Sequence, residues 1–313
     1  MQRQFTLITG AATLALWLAG TEVAAAGHWP SFGRWQTATN VTAVNDPNFP
    51  EGCPIETPDG LSLLFASTRS GGANDIWASD RASLASPWGE PRKLEEPISL
   101  PGAVADFCPS PAYGRSLFFV SSRPASNCGG ASSAAGDIYL SRQSPAGGWS
   151  EPVHLACAKD GGPNTPGAEF SPSLVETWYG TFLFFSSPGA AGDQDIFVSR
   201  MRPNGTFGPG RVVETLSTPH EDMMPNVRER DEGGFEIVFN SNRPSPQCAA
   251  IESCNTQDVF ASVAWFIPGP WAKPVNLGAA VNTAGAEQRA TLSRDGKRLS
   301  FGRSGEIFMS ERR

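Results

Sequence analysis

Short apolar runs alternate with polar turns along most of the chain, and one such pattern recurs five times. Each copy has an acid three residues before a proline, a glycine-containing turn, an apolar run, and an acid followed by an aliphatic and an aromatic residue, except that Ala290 replaces the proline in the last copy. In the first copy these are Glu51–Pro54, Asp59-Gly60, Leu61–Phe65 and Asp75–Trp77. The copies begin near positions 51, 106, 169, 222 and 287. This repetition predicts five copies of one structural unit.

Each unit is predicted to contain four strands. The turn separates two strands of a hairpin, and the second strand is apolar throughout, as expected when both of its faces are covered. The third strand begins at the acid-aliphatic-aromatic triplet. The fourth has an aromatic residue three positions before a proline, as in Trp88–Pro91, which is typical of an edge strand. The last copy ends after its third strand, whereas residues 32–45 resemble the missing fourth strand.

These features predict an all-β fold, a five-bladed β-propeller of four-stranded antiparallel blades. The ring is closed by the N-terminal strand, which joins the last blade and removes two open sheet edges. A six-bladed ring and an open array are the alternatives.

The N-terminal segment differs from the repeats. Arg3 precedes an apolar run, Phe5–Ala19, and Ala24–Ala26 supplies small residues, a pattern typical of a cleaved signal peptide. The run is shorter than the roughly 20 residues that span a membrane. We therefore expect a signal peptide at 1–26, a single propeller domain at 27–313, and export to a periplasm or secretion.

Composition and net charge limit the classes of partner that we expect. The 313 residues carry a net charge of -7, which argues against nucleic acid, because its binding needs clustered Lys and Arg. We expect a protein or carbohydrate ligand, no transmembrane segment and a monomer. No cofactor is expected, apart from a structural Ca²⁺ that carboxylates in the channel could hold.

Six cysteines in an exported chain indicate disulfides, and they lack the spacing of a zinc site. Sequence alone leaves the pairing open, but the repeat ranks the pairs by shared loops and equivalent strand positions. The favoured pairs are Cys53–Cys108, Cys128–Cys157 and Cys248–Cys254.

The repeat resembles the TolB-like, WD-repeat-like propellers of exported bacterial proteins. The residues that carry the resemblance are Pro58–Gly60, Leu63–Phe65, Ser67–Arg69 and Asp75–Trp77, with counterparts in the second, fourth and fifth copies. The third copy departs from the pattern, since Pro188 stands where the arginine would be. The resemblance implies the fold, whereas such propellers serve as binding modules and enzymes alike.

The repeated acids are the main candidate site. If the first strands line the axis, these acids form a ring at one mouth of the channel. They could hold a cation, or two of them could cleave a glycosidic bond as acid and base or nucleophile. A structural role is the stronger interpretation, because the feature is nearly uniform in all five copies. The ring acids are Glu51, Asp106, Glu169, Asp222 and Glu287.

Other candidates lie outside the repeat. His220, beside Asp222, is a candidate proton carrier. Asp46, Trp178 and Trp265 are candidate ligand-binding residues, and Phe266 joins the two tryptophans as a candidate for sugar stacking. Buried packing is the stronger interpretation for these three aromatic residues. The acids that open the third strands are expected to be structural and to pair with Arg69, Arg123 and Arg243 where these exist.

Two functions follow. The preferred one is an exported, non-enzymatic binding or scaffold module that uses the acid-ringed channel face. The alternative is a glycoside hydrolase-like enzyme that acts on a polysaccharide or oligosaccharide with carboxylates at the channel mouth.

Overall fold

Regular structure in the computed structural model consists of twenty strands and a short 3-10 helix at Ala158–Asp160, within described residues 32–113, 115–123, 128, 136–190, 192–244 and 257–313. The strands form five sheets, each of four antiparallel strands. In these described ranges, no helix is long and apolar enough to cross a membrane. The predicted signal peptide, residues 1–26, lies outside them.

Each sheet is one blade, and the strands occupy the same four positions from blade to blade. The first strands are β2 (Glu51–Glu56), β6 (Asp106–Ala112), β10 (Phe170–Thr177), β14 (Asp222–Glu229) and β18 (Glu287–Leu292). The second strands are β3 (Ser62–Ser67), β7 (Ser116–Ser121), β11 (Gly180–Pro188), β15 (Phe235–Ser241) and β19 (Arg298–Arg303). The third strands are β4 (Asp75–Asp80), β8 (Asp137–Arg142), β12 (Gln194–Arg200), β16 (Asp258–Ala264) and β20 (Glu306–Glu311). The fourth strands are β5 (Arg92–Lys93), β9 (Val153–His154), β13 (Arg211–Val212), β17 (Val275–Asn276) and β1 (Thr39–Asn40).

The N-terminal strand completes the last blade. Thr39 of β1 pairs with Met309 of β20, and Asn40 pairs with Phe308. Every first strand also contacts the first strands of both adjacent blades, so the ring is closed around one axis. The predicted fold class, a five-bladed propeller closed by its N-terminal strand, is confirmed.

The core lies between blades. Five apolar clusters fill the five interfaces, and the second strands contribute side chains to the interfaces on both of their sides. In the first blade, for example, Leu63 and Phe65 face the last blade, whereas Leu64 faces the second blade. All three are buried, which explains why these strands are apolar throughout.

A β-bulge recurs in every first strand. Its pairing register shifts two residues after each ring acid, and the residue there has a positive φ, between 46° and 57°. Non-glycine residues rarely adopt this conformation. A bulge places an extra residue in one strand and redirects its side chain. The bulge residues are Cys53, Cys108, Ser171, Met224 and Arg289.

Candidate functional site

The ring acids lie at the starts of the first strands, but their carboxylates are buried in the blades. Each is at most 4% exposed and accepts a hydrogen bond from a backbone N–H in the preceding inter-blade link. Four of the five also pair with an arginine that lies at the end of the second strand of the same blade or two residues beyond it. These pairs are Glu51–Arg69, Asp106–Arg123, Asp222–Arg243 and Glu287–Arg303.

Each of the four arginines bonds both to a ring acid and to a backbone carbonyl of the preceding inter-blade link. Arg69 Nη2 lies 2.7 Å from Glu51 Oε1 and also donates to the carbonyl of Val44, at 2.7 Å. Arg303 does the same between Glu287, at 2.8 Å, and the carbonyl of Val281. Arg69, Arg123 and Arg243, which were predicted to pair with third-strand acids, form their ion pairs with the ring acids Glu51, Asp106 and Asp222 on the first strands.

Glu169 is the exception among the ring acids. Its blade has Pro188 at the arginine position, so its Oε1 accepts only from neutral groups: Thr165 Oγ1 at 2.5 Å, Thr165 N at 3.0 Å and Ser187 Oγ at 2.9 Å. Its Oε2 has no partner among the described residues. Burial raises the pKa of Glu169 to about 8, so this carboxyl is largely protonated at neutral pH.

Burial also raises the pKa of Asp106 and of Glu287, although hydrogen bonds and the adjacent arginines oppose the shift. Asp195, at the start of the third strand of the same blade as Glu169, has its pKa raised by burial as well. The equivalent acids of the first two blades have basic partners: Asp75 pairs with Lys93 at 3.2 Å and Asp137 with His154 at 2.7 Å. In the third blade, neither Glu169 nor Asp195 forms an ion pair with a described residue.

The bulge residues, and not the ring acids, meet at the axis. Cys53 and Cys108 form a disulfide between adjacent blades, and Ser171 Oγ lies 3.6 Å from Cys108 Sγ. Arg289 extends across the axis from the last blade, and its Nη2 lies 3.2 Å from the carbonyl oxygen of Pro172 and 3.4 Å from that of Pro109. These groups plug the channel, so the ring acids do not form an open carboxylate site.

A pocket of about 280 Å³, here called the axial pocket, opens over this plug at the start of the first strands. Cys53, Met224 and Arg289 line it together with Arg303 and Gln288. The Arg289 side chain is 1% exposed, and burial without a neighbouring acid lowers its pKa to about 9.

A second pocket, here called the strand-end pocket, occupies the opposite end of the axis and measures about 370 Å³. All five first strands contribute residues to it from their C-terminal ends. Glu176 and Glu229 line it at equivalent positions, seven residues after Glu169 and Asp222, on adjacent strands β10 and β14. Both are exposed, whereas Glu56, in the same pocket, is buried between Arg81 and Arg298.

The candidate stacking residues gather near this end. Trp178 is 90% exposed and packs edge-on against Tyr179, with ring centroids 5.1 Å apart. Phe266, 62% exposed, lies 6.4 Å from the Tyr179 ring, and Trp265 precedes it at 52% exposure. Tyr179 lines an open groove of about 920 Å³. Trp178, Tyr179 and Phe266 therefore form one continuous aromatic surface. Trp178, Trp265 and Phe266 are all exposed and not buried in packing.

His220 and Asp46 lie elsewhere, in links at the starts of the first strands. The backbone N–H of His220 donates to Thr218, and its half-buried ring bonds to no described residue. Both oxygens of the adjacent Asp222 are occupied, by Arg243 and Thr218. Asp46 accepts a hydrogen bond from the backbone of Asn48 at 2.9 Å. Their roles as a proton carrier and a ligand contact remain predictions.

The structure joins Cys53 to Cys108 and Cys128 to Cys157, as the repeat suggested, and the Cys248–Cys254 pair lies outside the described residues. In the part of the chain described, one group of at least three His, Cys, Asp or Glu side chains is close enough to share a metal: Cys128, His154 and Cys157. Its two sulfurs are bonded to each other, and a channel Ca²⁺ remains a prediction.

Comparison with known proteins locates relatives by structure alone. No family model and no curated protein matches the chain. It is similar to the catalytic domain of a GH62 α-L-arabinofuranosidase from Coprinopsis cinerea (TM-score 0.57, 12% identity, 91% of this chain and 98% of that one). It is also similar to an endo-arabinase from Bacteroides thetaiotaomicron (0.55, 13%, 88% and 97%) and a putative glycoside hydrolase from Bacteroides ovatus (0.59, 8%, 90% and 97%). At these identities the likeness establishes the fold.

Two expectations are corrected by these matches. The resemblance to TolB-like and WD-repeat-like families is wrong, because the matched propellers are named as glycoside hydrolases. The motifs behind it, such as Asp59-Gly60 and the apolar second strands, meet the needs of any four-stranded blade. The preference for a non-enzymatic binding or scaffold module is wrong for the same reason, and the hydrolase alternative is better supported.

Proposed function

We propose that the protein is a glycoside hydrolase-like enzyme that acts on a polysaccharide at the strand-end pocket. The observation that carries this proposal is the pair Glu176 and Glu229, two accessible carboxylates at equivalent ends of adjacent first strands. The names of the similar propellers, arabinofuranosidases and arabinanases, support a substrate of the arabinan or xylan class.

Glycoside hydrolysis requires two carboxyl groups that can reach the same sugar, one to protonate the leaving oxygen and one to act as base or nucleophile. The ring acids fail this condition, because they are buried and four of them are held by arginines. Glu176 and Glu229 are better candidates for it, since both are exposed and border one pocket of about 370 Å³. The strand-end pocket is therefore the better catalytic candidate.

Trp178 supplies a second element of a sugar site. It follows Glu176 by two residues and is 90% exposed, so its ring can pack against the apolar face of a sugar bound beside that carboxylate. Exposed aromatic surfaces of this kind mark binding sites in soluble proteins. Tyr179 and Phe266 extend the surface toward the adjacent groove, which could hold further sugar units of a polymer.

The proposed function also bears on the compartment and the oligomeric state of the protein. Two disulfides fit export to an oxidising compartment, where polysaccharide substrates are found, and we propose that the mature chain works there as a monomer.

The test is release of reducing sugar from arabinan, arabinoxylan and xylan. We expect the wild type to release sugar, and Glu176→Gln and Glu229→Gln each to lose about 10²-fold or more, the usual contribution of an acid or base. Trp178→Ala should raise KM more than it lowers kcat.

Glu169→Gln is the matched control, since it changes a carboxyl at the other end of the same strand. Loss of activity in this variant, with Glu176→Gln and Glu229→Gln unaffected, would show that the catalytic carboxylates are among the ring acids. If no reducing sugar is released from any of the three polysaccharides, the proposed hydrolase activity is wrong.

A further inference from the structure

The axial pocket contains a buried cation without a counter-charge. Arg289 Nε and Nη1 have no hydrogen-bond partner among the described residues, and the third nitrogen, Nη2, faces only the carbonyl oxygens of Pro109 and Pro172. Of the residues described, no carboxylate forms an ion pair with this guanidinium. An unpaired charge removed from water is unfavourable unless another charge or a set of hydrogen bonds compensates it.

The nearest acids of the same region are committed to other groups. Both oxygens of Glu287, two residues earlier, are held by Arg303 and Thr283. Glu51, which also lines the pocket, is held by Arg69, Ser67 and the backbone of Asp46. The acids near this pocket are thus paired with other groups, and the positive charge of Arg289 at its base has no counter-charge among the described residues.

Arg289 differs from the other four bulge residues in carrying a charge. In the remaining blades they are Cys53, Cys108, Ser171 and Met224, which are uncharged. Arg289 is the one whose side chain reaches across the axis, to the carbonyl oxygens of Pro109 and Pro172. The pocket above it, at about 280 Å³, has room for a small ligand.

We propose that Arg289 binds a small, singly charged anion, a halide or a carboxylate, at the base of the axial pocket. Such an anion would supply the missing counter-charge and accept from Nε or Nη1, and the low local dielectric would strengthen the contact. The lowered pKa of Arg289 agrees with a cation that lacks a partner in the protein itself. The site is independent of the proposed hydrolase activity, because the strand-end pocket lies at the opposite end of the first strands.

Two sources could provide this chemistry: a free ion, or the carboxylate of an acidic sugar. Thermal unfolding of the wild type would be followed in chloride, acetate and glucuronate, with ionic strength held constant by a bulky sulfonate and with glucose as the neutral control. We expect an anion to raise Tm by about 5 °C at saturating concentration. A larger shift with glucuronate than with acetate would assign the site to an acidic sugar, and equal shifts would assign it to a free ion.

Two variants make the test specific. Arg289→Met should remove the anion dependence, whereas Arg200→Met, which changes an exposed arginine, should retain it. The proposal is overturned if no anion raises Tm, or if Arg289→Met responds as the wild type does. Should Arg289→Met not fold, wild-type crystals soaked in bromide and in glucuronate decide the question. Density beside Nε or Nη1 supports the site, and its absence in both soaks rejects it.

Discussion

Replacing Glu169 with glutamine isolates the effect of one buried carboxyl on stability. The carboxyl is 0% exposed, lacks an arginine, and has a pKa raised by burial from 4.5 to about 8. A group whose pKa is higher in the folded state favours folding while it is protonated. Its contribution to the free energy of unfolding is complete below pH 4.5, declines as pH rises, and is lost above about pH 8.

The size of the effect follows from the shift. At about 1.4 kcal/mol per pH unit, the interval from 4.5 to about 8 corresponds to at most about 5 kcal/mol. Glutamine keeps an acceptor for Thr165 and Ser187 and does not ionise, so its free energy of unfolding should not decline over this interval. Glu169→Gln should therefore gain a few kcal/mol relative to the wild type between pH 5 and pH 9.

Urea unfolding at several pH values between 5 and 9 gives this difference directly. Glu51→Gln is the matched control, because it changes a ring acid that is paired with Arg69 at 2.7 Å. It should destabilise the protein at every pH tested, since it leaves the half-buried Arg69 without its counter-charge. A difference between Glu169→Gln and the wild type that does not grow with pH would show that Glu169 is ionised in the folded protein.

Three further predictions concern stability and closure. Arg243→Ala should cost about 3–5 kcal/mol in urea unfolding, because Asp222 is left buried and unpaired. Changing Cys53 and Cys108 to serine should cost about 2–4 kcal/mol, and a smaller loss would show that the bulges hold the axis without the bond. A chain that begins at Asp46 lacks β1 and exposes the edge of β20, so size-exclusion chromatography should show self-association. A monodisperse monomer would argue that β1 is not needed to protect this edge.

The fold was predictable because its signals are local and repeated. Each blade restates the same turns and apolar strands, and the resemblance between residues 32–45 and the fourth strands was enough to predict the closure. Five similar units that cannot bury their faces alone leave few arrangements other than a ring.

The site was harder to predict because it depends on register. The simple alternation of a strand places the ring acids toward the axis, but the bulge after each acid breaks that alternation. The side chains at the axis are those two positions later, among them Arg289. A signal for them did exist: this position changes from Cys53 to Ser171 to Arg289, whereas the position of the ring acid is an acid in every copy. The strand-end acids Glu176 and Glu229 were missed because they lie at the ends of first strands, at a position that is not part of the repeated motif.

The pairing of β1 with β20 has a consequence for how the chain acquires its structure during synthesis. Thr39 is translated 270 residues before its partner Met309, so four blades can form before the fifth has its outer strand. A contact between such distant positions carries a large loop-closure cost and forms late. Until β20 has been made, β1 must remain unpaired, and the ring stays open at one seam.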